Sequence, residues 1–266
     1  LNVFAKLHIL HCGQVKVDQR LAFKTAELMD VPLVGSRSEQ DQLLLPVSCY
    51  LIEHPKGAIL IDAGWSEAVR SDPETAIGSY AYQICHPHLP PGQSIREQLE
   101  ARNIPVQQLR YVLISHMDVD HISGLHHLEG AQSFIVSEPE WNGAKAHQKA
   151  KCQGVAIHPF SLDPIPFGPL QLGKDLYGDG SIYFILTPGH TDGLISVLVR
   201  VQDGWVLLVS DAGYSEISWN EMVLPGYTSD DEMAFQSLQW IREFSHREDC
   251  IAVIANHDPL VKAASF

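Results

Sequence analysis

The stretch Tyr111-Val112-Leu113-Ile114-Ser115-His116-Met117-Asp118-Val119-Asp120-His121 decides how the rest of the sequence is read. It opens as a short, uninterrupted apolar run, the pattern of a strand buried on both faces. Two imidazoles and two carboxylates then follow at the strand's end, where binding groups tend to collect. Alternate residues of an extended loop point the same way. His116, Asp118, Asp120 and His121 can therefore converge on one pocket, and their mix of donors suits Zn, Fe, Mn or Co rather than a thiolate-held structural zinc.

Outward from this stretch, three more donors each follow an apolar strand candidate. They are His190 in Thr187-Pro188-Gly189-His190-Thr191-Asp192-Gly193, Asp211 in Ser210-Asp211-Ala212-Gly213, and His257 in Ala255-Asn256-His257. Together the donors exceed the three or four that one catalytic metal takes, so two neighbouring ions are the economical reading, with Asp211 as the natural bridge. A single ion, or a set of ordinary polar groups, are the alternatives.

The remaining pattern supplies a frame. Val3 to Leu10 alternates like an opening strand and breaks at Cys12-Gly13, while 14–45 is irregular, with a helical candidate near Leu21 to Met29, and could cover a pocket. Pro46 to Glu53 and Ala58 to Asp62 read as a hairpin around His54-Pro55-Lys56-Gly57. Cys85-His86-Pro87-His88 reads as loop. Ser94 and Glu97 have capping-box spacing ahead of a helix to about Asn103. A strand at Ser133 to Val136 precedes a helix from Glu138 to about Lys149, and strands follow at Ser181 to Leu186, Leu194 to Val201 and Trp205 to Ser210. Ser229 and Glu232 repeat the capping spacing before Phe235, Leu238, Ile241 and Phe244, which share one helix face, and Ile251 to Ala255 is the last strand.

The composition of the 266 residues, 45% hydrophobic and 19% charged, is that of a globular enzyme, and without a linker-like stretch one domain over 1–266 is expected. A net charge of −14 argues against nucleic acid as a partner, since backbone binding draws on clustered Lys and Arg. No apolar run is long enough to span a bilayer, and the N-terminus lacks a basic segment followed by an apolar one, so no membrane association and a cytoplasmic location are expected. Cys12, Cys49, Cys85, Cys152 and Cys250 are odd in number and scattered, as buried free thiols are.

With its motif H-x-D-x-D-H, its distant Gly189-His190, Asp211 and final His257, the sequence resembles the metallo-β-lactamase superfamily over roughly Pro46 to Asp258. The Ile61-Asp62-Ala63-Gly64 strand end belongs to the same likeness. The resemblance implies a four-layer αββα sandwich of the α/β class. It assigns His116, Asp118 and His190 to a first metal, Asp120, His121 and His257 to a second, and Asp211 to both. Zinc is the family's usual ion, but Asp118 stands where the signature H-x-H-x-D-H has its second His, which favours Mn or Fe.

Within the superfamily the sequence is similar to the N-acyl-homoserine lactonases. Tyr214 stands three residues after Asp211, as a carbonyl-contacting Tyr does there, and Leu45 to Ile52 and Ser137-Glu138-Pro139-Glu140-Trp141 add weaker likeness. The implied activity is hydrolysis of a small-molecule lactone or related ester: a hydroxide held between the metals attacks the carbonyl, Tyr214 stabilises the oxyanion, and Asp120 protonates the leaving alkoxide. A diiron-type oxidoreductase, a thioesterase or phosphodiesterase of the same fold, and a non-catalytic sensor are the competing readings. Trp141, and His126 and His127, are expected to pack or to support ligands. His86 and His88 are expected at the surface or on the pocket wall.

Overall fold

The structure is a computed structural model that describes residues 3–25 and 31–266. The first half of the chain forms a seven-stranded sheet from β1 (Lys6–Asp18), β2 (Gln42–Glu53), β3 (Ala58–Ile61), β4 (Cys85–His88), β5 (Leu109–Ile114), β6 (Phe134–Ser137) and β7 (Ile157–Phe160), ordered β4-β1-β2-β3-β5-β6-β7. The second half forms a six-stranded sheet from β8 (Asp163–Pro164), β9 (Leu172–Asp175), β10 (Ile182–Leu186), β11 (Ile195–Val201), β12 (Gly204–Ser210) and β13 (Cys250–Ala255), ordered β13-β12-β11-β10-β9-β8.

The apolar strands explain the layering. Side chains alternate across a sheet, so Ile59 and Ile61 face one way and Leu60 the other, and Ile182, Phe184 and Leu186 oppose Ile185. The first member of each set meets the other sheet in a shared core that also holds Ile9, Tyr50 and Ile195. The second members face outward, Leu60 under Ile95, Leu99 and Leu125, and Ile185 under Leu238, Ile241 and Phe244. Because both faces are covered, these strands need continuous apolar runs.

The helices cover the outer faces and the rims: α1 (Gln19–Ala22), α2 (Pro73–Ile77), α3 (Ser79–Ile84), α4 (Ile95–Ala101), α5 (Val119–Ile122), α6 (Glu138–Gly143), α7 (Ala146–Lys151), α8 (Glu216–Asn220) and α9 (Asp231–Ser245). The Ser94 and Glu97 capping box forms as expected at α4. Among the described residues no helix is long and apolar enough to cross a membrane.

Four expectations change. β1 continues through 14–18 by pairing with β2 and with β4, so Cys85–His88 is an edge strand rather than loop. The helical candidate of Leu21 to Met29 is a four-residue turn at Gln19–Ala22, and its part over 26–29 lies outside the described residues. The helix expected from Glu138 to Lys149 is two: α6 ends at Asn142-Gly143, weak helix formers, and Ala144 and Lys145 are extended before α7 turns inward. Asp230, not Ser229, caps α9 by accepting from Met233 N, while Phe235 faces solvent.

Candidate metal centre

Topology gathers the donors. β3 and β5 run parallel, as do β12 and β13, so the chain leaves each pair at one edge of its sheet. There β5 delivers His116, Asp118, Asp120 and His121; β12 delivers Asp211; and β13 delivers His257. The turn between β10 and β11 brings His190. Its Gly189 has φ +132° and lies so close to Ala234 that a side chain would overlap that residue's backbone, which fixes the turn against α9. Ile195 N donates to Ser115 O across the seam between the sheets, at 3.0 Å.

All seven predicted donors meet. His116, Asp118 and His190 form one triad and Asp120, His121 and His257 another, with ligating atoms within 4.8 Å of one another in each. In the first, Asp118 Oδ2 lies 3.1 Å from His190 Nε2 and 3.5 Å from His116 Nε2. In the second, Asp120 Oδ2 lies 3.3 Å from His257 Nε2. Asp211 stands between them, 3.2 Å from His257 Nε2, 3.3 Å from His121 Nε2 and 3.9 Å from both His116 Nε2 and His190 Nε2.

The other ring nitrogens are anchored, which turns each Nε2 towards the shared centre. His190 Nδ1 donates to Tyr227 O and His257 Nδ1 to Pro46 O, each at 2.8 Å. His121 Nδ1 donates to Asp62 Oδ2 at 2.7 Å, and His116 Nδ1 to Ser115 Oγ at 3.1 Å. Ser115 Oγ in turn donates to Asp62. Asp62 holds φ +61° and Ser210 φ +49°, conformations uncommon outside glycine, immediately beside the donors they support.

The donor set fits a metal on two observations. His116 Nε2 and Asp211 Oδ1 are buried and have no hydrogen-bond partner, a costly state that a cation in their midst removes. The charges also match: burial opposes ionisation of Asp118 and Asp211, yet the surrounding imidazoles hold both carboxyls well below the usual range. Burial likewise opposes charge on His190, but the hydrogen bond and charge of Asp118 and the charge of Asp211 raise it to about 9. His121 and His257 are raised against burial chiefly by Asp211. Protons here stand in for metal ions, since ligation requires neutral imidazole.

A cavity of about 900 Å³ opens above the donors. Val15, Val17, Leu21, Ile77 and Ile84 make one wall apolar, and Tyr214 stands at its floor. The Tyr214 ring stacks on His257 with centroids 5.1 Å apart, and its phenol is pushed well above the usual value by burial and then by Asp211 and Asp120. The other singled-out histidines stay out of the cluster. His127 Nε2 accepts from Glu67 N, His126 contacts Lys151 O, His86 stacks on Tyr82, and His88 is exposed. Trp141 packs under the first sheet, and all five cysteines are free.

Asp62, Asn256 and Glu140 are the supporting residues that sequence reasoning did not assign. Asn256 Nδ2 lies 3.3 Å from His121 Nε2 and its Oδ1 accepts from Ser48 N. Asp62 was visible only as part of a strand-end motif, and Glu140 only as part of Ser137 to Trp141. Their partners lie far away in sequence.

Two sheets packed face to face under helices, with such a cluster on one edge, define the class: the chain belongs to the metallo-β-lactamase superfamily, whose model, described as Metallo-beta-lactamase superfamily, matches residues 43–246. Its relatives narrow the branch to lactonases. The N-acyl homoserine lactonase AttM of Agrobacterium fabrum is 30% identical over 220 residues, 81% of this chain and 82% of its own. An N-acyl homoserine lactonase of Bacillus cereus is 28% identical over 240 residues, 87% and 89% of the two chains. Among solved structures, an N-acyl homoserine lactone hydrolase with the product N-hexanoyl-L-homoserine at its catalytic metal centre superposes with a TM-score of 0.77 at 21% identity, over 97% of this chain and 95% of that one. AidC, a dizinc quorum-quenching lactonase, gives 0.64 at 18%, over 98% and 90%.

Proposed function

We propose that the chain is a metal-dependent hydrolase that opens the ring ester of a lactone, with N-acyl homoserine lactones the substrate class its relatives favour. The observation that carries the reading is the pair of His-His-Asp triads joined by Asp211 beneath a cavity that holds Tyr214. His116, Asp118 and His190 would hold one divalent ion, Asp120, His121 and His257 a second, and Asp211 both. Ions held there would polarise the ester carbonyl and bring the pKa of water towards neutrality. AidC, a dizinc enzyme, supports zinc. Asp118 supports Mn or Fe instead, because it gives the first triad a second hard donor beside Asp211.

The chain's own groups do the rest. The apolar wall of Val15, Val17 and Ile77 receives an acyl chain, and 14–45 is read as a pocket-forming segment of a single domain. Tyr214, kept protonated, donates to the carbonyl oxygen as charge develops on it. The oxygen of water adds to the acyl carbon and gives up a proton to Asp120, which hands it to the leaving ring oxygen as the acyl–oxygen bond breaks, yielding an acid and an alcohol. A cytoplasmic location completes the reading, supported by five free thiols.

The test is metal analysis of protein purified without added metal, followed by assay of lactones and simple esters with Mn, Fe, Co and Zn supplied singly. Two tightly held ions and lactone turnover are expected. Absence of any bound transition metal overturns the site. Oxygen consumption under reductant with no hydrolysis favours the diiron reading that Asp118 raises.

A further inference from the structure

Glu140 is a buried carboxylate, 4% exposed, and among the described residues no cation lies within ion-pair distance of it. Its two oxygens go to two different loops. Oε1 accepts from the Met117 backbone N–H at 2.8 Å, and Oε2 accepts from the Thr191 hydroxyl at 2.6 Å. Met117 sits between His116 and Asp118, and Thr191 directly follows His190. One side chain therefore spans the two loops that carry the first triad, joining segments more than seventy residues apart.

The backbone around Glu140 closes the same connection. Glu140 N donates to Ser137 Oγ, which donates to Gly193 O at 2.7 Å. A side chain at Gly193 would overlap the backbone of Glu140, so the β10–β11 turn rests directly on α6. Gln148 of α7 donates to Met117 O at 3.0 Å and fixes the peptide that follows Met117. The second triad has separate supports: Asp62 holds His121, and Pro46 O holds His257.

The geometry points to Glu140 as the positioning residue of the first metal half-site, setting the gap between His116 and Asp118 on one side and His190 on the other. This rests on the dinuclear reading of the preceding subsection. A buried carboxylate without a cation partner is costly, and hydrogen bonds to both ligand loops are what retain it. Its loss lets the two loops drift apart while the second triad keeps its own anchors. Groups of this kind around metal ligands change affinity by about 10- to 100-fold when removed.

The experiment counts ions. Chelator-stripped full-length protein is titrated with Co²⁺, reading the visible absorption and the bound equivalents after dialysis, for wild type, Glu140→Ala, Glu140→Gln and Thr191→Val. Expected are two equivalents for wild type, one tight and one weakened about 10- to 100-fold for Glu140→Ala, and a smaller shift in the same direction for Thr191→Val. Glu140→Gln is expected to recover most of the second equivalent, because its amide oxygen still accepts from Met117 N and its NH2 can donate to Thr191 Oγ. Thr191→Val keeps the question answerable if Glu140→Ala does not fold. Wild type binding fewer than two ions overturns the dinuclear reading and this inference with it. Two ions at wild-type affinity in both Glu140→Ala and Thr191→Val, or equal weakening of both ions, overturns this inference alone.

Discussion

Single residues carry most of the chemistry. Asp118 is a departure from its family's motif, yet its carboxylate reaches both imidazoles of the first triad while 38% of its side chain is exposed, so a donor still stands at that position. Tyr214 differs in kind: it touches the donors through the His257 ring and offers only a hydroxyl. Tyr214→Phe is expected to keep the bound metal while lowering kcat on a lactone by about 100-fold, the usual effect of removing one oxyanion donor. His116→Ala or His190→Ala should lower metal content and turnover together. Parallel metal analysis and steady-state kinetics distinguish the two classes, and full activity of Tyr214→Phe removes its assigned role. The seven donors were legible because donor residues at the ends of apolar runs have few other uses. Asp62 and Glu140 were not, because a carboxylate that holds a histidine or a loop from 23 or 59 residues away leaves no local periodicity.

At the scale of elements, local signals succeeded where local energetics decide. Ser94 and Glu97 satisfy each other's backbone at the start of α4, as their spacing requires, and Ser94→Ala is expected to lower stability by about 1 kcal/mol in urea unfolding without changing metal content. An unchanged midpoint would show the cap to be idle. The same spacing misled at Ser229, because two capping oxygens stand side by side and tertiary partners choose between them. Asp230 takes the cap and Ser229 donates to Asp192 Oδ1 at 2.7 Å, bracing the turn of His190. The break at Ala144 and the extension of β1 through 14–18 have the same origin. Neither a rim helix that must reach Met117 nor a strand completed by an edge partner announces itself in a window of ten residues.

For the whole molecule, the donors couple charge to stability. His190 is raised to about 9 in the metal-free chain, against about 6.5 when unfolded. A raised imidazole stabilises fully below the unfolded value and loses that contribution as pH climbs through the folded one. Metal-free protein is thus expected to melt at lower temperature as pH rises from 6.5 to 9. Metal requires the neutral ring, so loading tightens over the same range and the melting increment due to metal grows. Thermal scans with and without chelator at both ends of the window check this, and an increment that shrinks with pH contradicts it.

The seam between the sheets has one further consequence. The first sheet alone supplies four donors and the second alone three, so neither half holds a complete triad and Asp211 by itself. If the donors hold ions as proposed, a chain whose halves have formed but not docked could not retain them, and ions bound across the seam would tie the two sheets together. On that reading, metal content would be a census of correctly assembled molecules.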